Sequence, residues 1–406
     1  MDLRKKAGGV VAAKGFLAAG VACGLKPSGA PDLALIVSQR PATAAGVFTT
    51  NRVCAAPVKV SRDHVKRGAL RAIVANSGNA NACTGDQGLA DARAMAAAVS
   101  QRLDVPAEQV GVASTGVIGH PLDMDKVTAG IEAAARRLAR SRAAAADVVR
   151  AIMTTDTVPK AAAVTARIGR REVTIGGIAK GAGMIAPRMA HATMLCFLST
   201  DAAVETRCLQ SSLDDAVERT FNCITVDGDM STNDTVLLLA NGAAGGRPIR
   251  LGSPAAARFR QALTSVCDDL ARRMVADAEG ATKFIEVRVA GAASDADAAR
   301  VARAIAESPL FKTAMYGEDP NWGRIAAASG YSGARVDERK LRIVLCGTPV
   351  VRNGTPLHAP PRQLRAAVKR KNILVEVHLG LGGGRARIYA CDLSHKYVDI
   401  NAHYTT

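Results

Sequence analysis

The residues best placed to do chemistry lie between Lys180 and Asp201, in the stretch KGAGMIAPRMAHATMLCFLSTD. A glycine-rich loop (Gly181, Gly183) runs through Pro187 and a series of small residues, and Met194 to Leu198 then reads as a short buried strand with Thr193 at its mouth. A threonine hydroxyl is a weak nucleophile until a base takes its proton. Cutting the peptide bond in front of it supplies that base without a second side chain, because the freed α-amine lies beside its own hydroxyl. A terminal amine titrates near ~8, so an appreciable part of it is a neutral base at neutral pH. The bond to be cut is Ala192–Thr193. Small residues before it let the loop press a strained carbonyl against the Thr193 hydroxyl, whose attack shifts the acyl group from nitrogen to oxygen and leaves an ester for water. Taken alone, a threonine that opens a strand after a Gly/Pro loop is ordinary β-structure.

Elements on both sides must hold that loop. Glu172 to Ala179 reads as the strand that delivers Lys180. Upstream, residues 8–29 predict turns and a short strand, and further strands are expected at Asp32 to Ser38, around Ala45 to Phe48, at Pro57 to Ser61 and at Arg71 to Ala75. The run NSGNANACTGDQG that follows is too rich in Asn, Gly and Ser for a helix interior and predicts a loop of turns. Gln87 to Leu103, Val127 to Ser141 and Ala144 to Met153 read as helices, with a strand at Gln109 to Ala113 that ends in Ser-Thr-Gly. After the candidate nucleophile come helices at Cys208 to Asn222 and Pro254 to Ala278. Glu279 then stands at a helix end, where a carboxylate opposes the helix dipole, which favours a functional purpose for it. The strand Phe284 to Val289, the helix Asp295 to Ser308, strands at Leu341 to Cys346, Ile373 to Leu379 and Arg387 to Cys391, and a helix at Pro361 to Lys371 make a smaller α/β unit.

At 406 residues, with 48% apolar and only 3% aromatic residues, the chain predicts two or three domains packed largely through small side chains. Its basic start is broken by glycine and Lys14 and no run approaches ~20 apolar residues, so neither a secretory signal nor a membrane span is expected, and the reading is a soluble, cytoplasmic protein. Nine widely spaced cysteines without a CxxC pair read as reduced thiols. The net charge of +17 comes from scattered pairs such as Arg136-Arg137 and Arg272-Arg273, with few aromatics for base stacking, so no nucleic-acid partner is expected. Asp227, Asp229 and Asp234 lack EF-hand spacing and a closing glutamate, so no metal site is expected.

Lys180, Gly181, Gly183, Met184, Ile185 and Pro187, then Met189, Ala190 and, after a gap, Thr193, Met194 and Leu195, resemble the cleavage-site signature of the bifunctional ornithine acetyltransferase / N-acetylglutamate synthase family (ArgJ), in which Lys-Gly-x-Gly-Met-Ile-x-Pro leads to Met-Ala-Thr-Met-Leu. The departure is His191-Ala192, a two-residue insertion just before the scissile bond. The resemblance runs from Gly8 to Thr406 through the NSGNANA run, the Ser-Thr-Gly strand end, Asp-Gly-Asp-x-Ser-Thr-Asn-Asp, Asp-Pro-Asn-Trp-Gly-Arg and the ending YVDINAHYTT.

The resemblance implies an α/β (α+β) fold, a DmpA/ArgJ-like αββα sandwich with N-terminal-nucleophile logic plus a smaller C-terminal α/β domain. It divides the chain into residues 1–192 (an α chain after self-cleavage), 193–284 (start of the β chain, completing the sandwich) and 285–406 (the C-terminal domain, its tail returning to the site). Thr193 becomes the nucleophile, and Thr115 (hydroxyl) and Gly116 (backbone N–H) become the oxyanion hole. Asn76 and Asn79 are implied as supporting polar groups. Thr154, Lys180, Thr193, Glu279, Asn401 and Thr406 are the implied substrate contacts, with Glu279 suited to ornithine's ammonium and Lys180 either to a substrate carboxylate or to lowering the pKa of the Thr193 amine. The implied reaction moves the acetyl group of N-acetylornithine to glutamate through an acetyl-threonine, with no cofactor or metal and with acetyl-CoA as a candidate second donor. Two α and two β chains assemble. The alternative is a self-cleaving aminopeptidase or amidase on the same scaffold, in which hydrolysis of N-acetylornithine is indifferent to glutamate.

Overall fold

The computed structural model describes residues 3–186, 194–358 and 360–403. The chain forms two compact units. The larger runs to Asn222 and takes up again from Met230 to Met274; the smaller takes Cys223–Asp229 and the chain from Val275 onward.

In the larger unit the elements are β1 (Leu3–Lys5), β2 (Phe16–Val21), β3 (Leu33–Phe48), α1 (Ala56–Val65), β4 (Ala69–Asn79), α2 (Gly85–Leu103), β5 (Val110–Val117), α3 (Met124–Arg136), α4 (Arg142–Ile152), β6 (Lys160–Ile168), β7 (Arg171–Lys180), β8 (Leu195–Thr200), α5 (Thr206–Arg219), β9 (Thr235–Ala240) and α6 (Pro254–Ala276). The strands join in one nine-stranded sheet of order β1-β6-β7-β8-β9-β3-β4-β5, with β2 on β3. Sixteen residues long, β3 carries the fold: its first half pairs with β2 and β4 and its second with β9, and the β4 register slips between Val37 and Ala42. The sheet turns over on itself. A Cβ on Gly111 of β5 would lie 2.8 Å from Leu237 of β9, although three strand steps separate them in the sheet order. The two halves therefore stack face to face, with Ile73, Ala75, Phe197, Leu237 and Leu239 in one buried cluster.

Residues on the other pleat of β3 and β4, Leu33, Leu35, Val37, Ala72 and Val74, pack with Met95 and Val99 of α2 and Val127 and Ile131 of α3. Burial on both faces explains why these strands read as nearly continuous apolar runs. On the second half, α6 lies so close to β7 that a Cβ on Gly177 would meet Leu270 at 3.2 Å. The layering is that of the expected αββα sandwich.

Three local readings change. Pro57 to Ser61 is not a strand: Pro57 sits in the first turn of α1, where its missing N–H costs nothing. Asn76 to Asn79 extends β4 instead of forming turns, because β5 runs parallel beside it as far as Gly116. The alanine-rich run Lys160–Ile168, to which the sequence assigned no element, is β6.

The smaller unit contains β10 (Phe284–Ala292), α7 (Asp295–Glu307), α8 (Pro309–Tyr316), α9 (Trp322–Tyr331), β11 (Arg342–Leu345), β12 (Thr348–Arg352), β13 (Thr355–Pro356), α10 (Pro361–Val368), β14 (Asn372–His378), β15 (Gly384–Cys391) and α11 (His395–His403). Its six-stranded sheet has the order β13-β12-β11-β14-β10-β15, and Val301 and Ile305 of α7 pack with Phe311, Ile325, Ile285, Val287 and Val375. It is a second α/β unit with its own sheet, as the expected fold class has it.

Candidate active site

In the larger unit the expected residues gather where β4, β5 and β7 end. The parallel pair β4–β5 sets Ser77 beside Thr115 and Gly78 beside Gly116. Gly116 has φ +136°, and a Cβ there would lie 2.3 Å from the Gly78 carbonyl carbon, so no other residue fits without moving the backbone. Side-chain amides lock these strand ends: Ser114 Oγ donates to Asn76 Oδ1 at 2.6 Å, Asn76 Nδ2 donates to the Asn79 carbonyl at 2.8 Å, and Asn79 Nδ2 donates to the carbonyls of His120 and Pro121. Asn233 Nδ2 donates to the carbonyls of Ala80 and Ser114. Asn76 and Asn79 thus bind backbone carbonyls and, through Asn76, the Ser114 hydroxyl.

Lys180 Nζ donates to Thr115 Oγ1 at 3.0 Å. An ammonium has no acceptor, so the Thr115 oxygen accepts in this bond and its own hydrogen stays available for another partner. Behind Lys180 lies Asp156. Its Oδ1 accepts from the Gly181 N–H and from Lys160 Nζ, each at 2.7 Å, and its Oδ2 accepts from the Thr154 N–H at 3.0 Å. Burial works to raise the Asp156 carboxyl, but Lys180, Lys160 and the Gly181 N–H outweigh it and hold it below the usual carboxylate range. Lys26 adds a further cation. Asp32, fully buried, accepts from the N–H groups of Cys23, Gly24, Leu25 and Lys26 and folds their loop against β4, where a Cβ on Gly78 would meet Lys26 Cγ at 3.3 Å. Burial lowers the Lys26 ammonium, with Asp32 opposing the shift and Lys180 reinforcing it.

The chain leaves the sheet at Lys180 and re-enters at Leu195, its register partner on β8, so the intervening segment begins and ends on adjacent strands. Ala192 and Thr193, the expected cleavage pair and nucleophile, lie outside the described residues, as do Pro187, Met189, Ala190, His191 and Thr406. A cavity of about 480 Å³ lined by Ile168, Arg171, Val173, Arg247 and Ile249 opens at the other end of β7, and its lining includes none of the expected site residues.

The smaller unit brings together Glu279 and Asn401. Asn401 Nδ2 donates to Glu279 Oε2 at 2.9 Å, and Glu279 is only 8% exposed. The contact exists because α11 is tied to the Glu279–Lys283 segment. Asp392 Oδ1 accepts from the N–H groups of Thr282 and Lys283, both at 2.9 Å, and its other oxygen accepts from the Thr282 hydroxyl. Ser394 Oγ donates to the Gly280 carbonyl at 2.6 Å, and Gly280, at φ +67°, has no room for a Cβ, which would lie 2.6 Å from the Tyr397 nitrogen. Tyr397 Oη donates to Asp227 Oδ2 at 3.2 Å; burial, then Asp227, Glu279 and Asp229, push its phenol up.

The sequence reading missed Asp156, Lys160, Lys26, Asp392 and Tyr397. A signal for the first pair was present in MTTDTVPK: an acid four residues before a lysine that itself opens an apolar run, KAAAVTARI, is out of place unless both charges go inside together.

A family model described as the ArgJ family matches residues 17–406. The arginine biosynthesis bifunctional protein ArgJ of Symbiobacterium thermophilum is 50% identical over 402 residues, covering 98% of this chain and 99% of that protein. The protein of the same description from Thermosynechococcus vestitus is 48% identical over 415 residues, covering 98% of each. Among solved structures, one chain of ornithine acetyltransferase from Mycobacterium tuberculosis, complexed with ornithine, is 46% identical, covering 46% of this chain and 98% of that one with a TM-score of 0.44. With the family model matched over nearly the whole length and full-length relatives near half identity, the chain belongs to the ArgJ family.

Proposed function

We propose that this chain is the self-cleaving acetyltransferase of arginine biosynthesis, moving the acetyl group of N-acetylornithine to glutamate through an ester on Thr193. The observation that carries the reading is the Lys180–Thr115 hydrogen bond beside the close-packed Gly116, in a chain matched end to end by its relatives. In this reading the Thr193 hydroxyl adds to the acetyl carbonyl and its proton passes to the freed Thr193 amine. The Thr115 O–H, turned away from Lys180, and the Gly116 N–H donate to the new oxyanion. Collapse breaks the carbon–nitrogen bond, the amine returns the proton to departing ornithine, and acetyl-Thr193 remains. The glutamate amine then attacks the ester, and Thr193 leaves as its hydroxyl. With acetyl-CoA as donor the same ester forms as the thiol departs. Thr154, Lys180, Glu279, Asn401 and Thr406 contact substrate, the Glu279 carboxylate receiving the ornithine ammonium through a charge-assisted bond.

Cleavage at Ala192–Thr193 leaves two fragments that stay together, because β8 lies between β7 and β9 in one sheet. Two such pairs form the working heterotetramer, in the cytoplasm. No described helix is long and apolar enough to cross a membrane, and the nine cysteines are free thiols.

The intact mass of the purified protein, before and after N-acetylornithine, tests the proposal. Two fragments meeting at Ala192–Thr193, with one acetyl group on the C-terminal piece that glutamate removes, are expected. Thr193→Ala should give one uncleaved chain that never acetylates. A cleaved, active Thr193→Ala protein would sink the assignment, and acetyl loss indifferent to glutamate would make water the acceptor and the enzyme an amidase.

A further inference from the structure

The Asp156–Lys160 ion pair is closed to solvent on both sides, with both side chains 0% exposed. Sealing two charges inside a protein costs several kcal/mol per ion before their attraction is counted, and an apolar pair of similar volume often does as well or better. Neutralisation alone therefore gives little reason for this pair. Its geometry gives a better one. Lys160 opens β6 opposite Ala179 of β7, so its ammonium is fixed by the sheet one residue away from Lys180. The carboxylate that Lys160 holds then reaches two backbone N–H groups, Gly181 at 2.7 Å and Thr154 at 3.0 Å. Gly181 stands at φ +149°, a conformation that residues with a Cβ rarely adopt, so the strand exit is built on a freely turning backbone that the carboxylate holds in place. Three chain segments thus end on one side chain: the turn after α4, the start of β6 and the exit of β7.

Resting on the acyl-transfer reading, we propose that Asp156, seated by Lys160, is a positioning residue that sets the β7 exit so that Lys180 reaches Thr115. Asp156 touches neither substrate nor reacting atoms. It acts through Gly181 and Thr154, whose backbones it fixes, and through the charge it sets among the cations around it. Those cations are Lys160 on β6, Lys180 on β7 and Lys26 on the loop that Asp32 folds. Removing the carboxylate frees the exit and leaves three ammonium groups in one neighbourhood without that anion.

The test separates positioning from plain stability. Asp156→Asn alone strands the Lys160 charge and destabilises the fold, so the informative protein is Asp156→Asn/Lys160→Met, which removes both charges at nearly constant volume. Acetyl transfer is measured on the full enzyme, with turnover referred to the cleaved fraction found by intact mass. The expected result is a melting temperature close to wild type with kcat down about 100-fold and KM little changed, the size of loss that a shift of about 1 Å in a positioned group produces. A double variant with wild-type kcat would overturn the proposal. Asp156→Glu supplies a second arm should the double variant fail to fold, since it keeps the charge on Lys160 but displaces the carboxylate from the Gly181 and Thr154 N–H groups. It too should lose kcat, and full activity in it would also refute the positioning role. A wild-type protein that transfers no acetyl group would instead remove the acyl-transfer reading itself.

Discussion

The ends of β5 and β7 and the C-terminal helix α11 hold their functional groups in opposite ways. At the strand ends, charges are shut inside. Asp156 and Lys160 are wholly buried and every bond of the carboxylate described above goes to backbone or to a sheet-anchored lysine. At α11, Asn401 is exposed and the helix is tied down by side chains gripping a loop: Asp392 on Thr282 and Lys283, Ser394 on Gly280. Hydrogen bonds in the first setting are strengthened by their dry surroundings and expensive to disturb; in the second the anchors Asp392 and Ser394 are buried as well, and only the exposed face of α11, Asn401 included, exchanges with water at modest cost. The first arrangement suits a reaction that tolerates little displacement. The second suits recognition of a substrate that must enter and leave.

The sharpest way to break this contrast is at Gly116. In Gly116→Ala the new methyl group meets the Gly78 carbonyl carbon at 2.3 Å, at a φ of +136° that alanine resists, so the β4–β5 ends must part. Acetylation of Thr193 should fall about 10²- to 10³-fold, the loss typical of removing one oxyanion donor. Single-turnover mass spectrometry reads that rate directly. A Gly116→Ala enzyme with near-normal acetylation would place the oxyanion contacts elsewhere.

A smaller effect is expected at Glu279. Glu279→Gln keeps the size and an acceptor for Asn401 but removes the charge proposed to meet the ornithine ammonium. A hydrogen bond to a charged group contributes about 1.5–3 kcal/mol, so KM for N-acetylornithine should rise roughly tenfold or more while kcat changes little. Loss of kcat with unchanged KM would move Glu279 from recognition into the chemistry and erase the contrast.

The same contrast governs what the residues disclosed before the fold was known. Periodic helices such as α2 and α7 and the apolar runs of β3 and β8 were legible, because burial writes its own period into a sequence. α1 was not: in Pro57 to Ser61 the valines alternate like a strand, and only the proline in the first turn argues otherwise. β6 was missed because alanine carries almost no period. Of the site, Thr115, Gly116, Thr154, Lys180, Glu279 and Asn401 were reached through the family motif, and the structure brings Lys180 to Thr115 and Asn401 to Glu279. Asp156 and Lys160 left the signal of an acid four residues before a lysine that opens an apolar run, but Asp392 and Tyr397 were illegible for a physical reason. A charge or a phenol looks like surface until its partner, in space rather than in sequence, is known.

The smallest predicted effect tests whether α11 is as adaptable as its exposure implies. Tyr397 donates to Asp227, and burial together with Asp227, Glu279 and Asp229 pushes its phenol up from the ordinary tyrosine range. A group whose folded pKa lies above its unfolded value contributes stability that is complete below the unfolded value, near 10 for tyrosine, and is lost as pH rises through the folded one. The docking contributed by Tyr397 should therefore be constant across neutral pH and disappear only under strongly alkaline conditions. Tyr397→Phe removes the donor but keeps the ring, so it should cost about 1.5 kcal/mol at neutral pH, the low end for a hydrogen bond to a charged group because the ring is only half-buried, and flatten the alkaline fall in stability. Denaturant midpoints of wild type and variant, followed from neutral to alkaline pH, measure both. If Tyr397→Phe also lowered kcat as strongly as the changes at the strand ends, α11 would belong to the rigid reacting centre, and the division between a dry centre for chemistry and an exposed helix for recognition would fail.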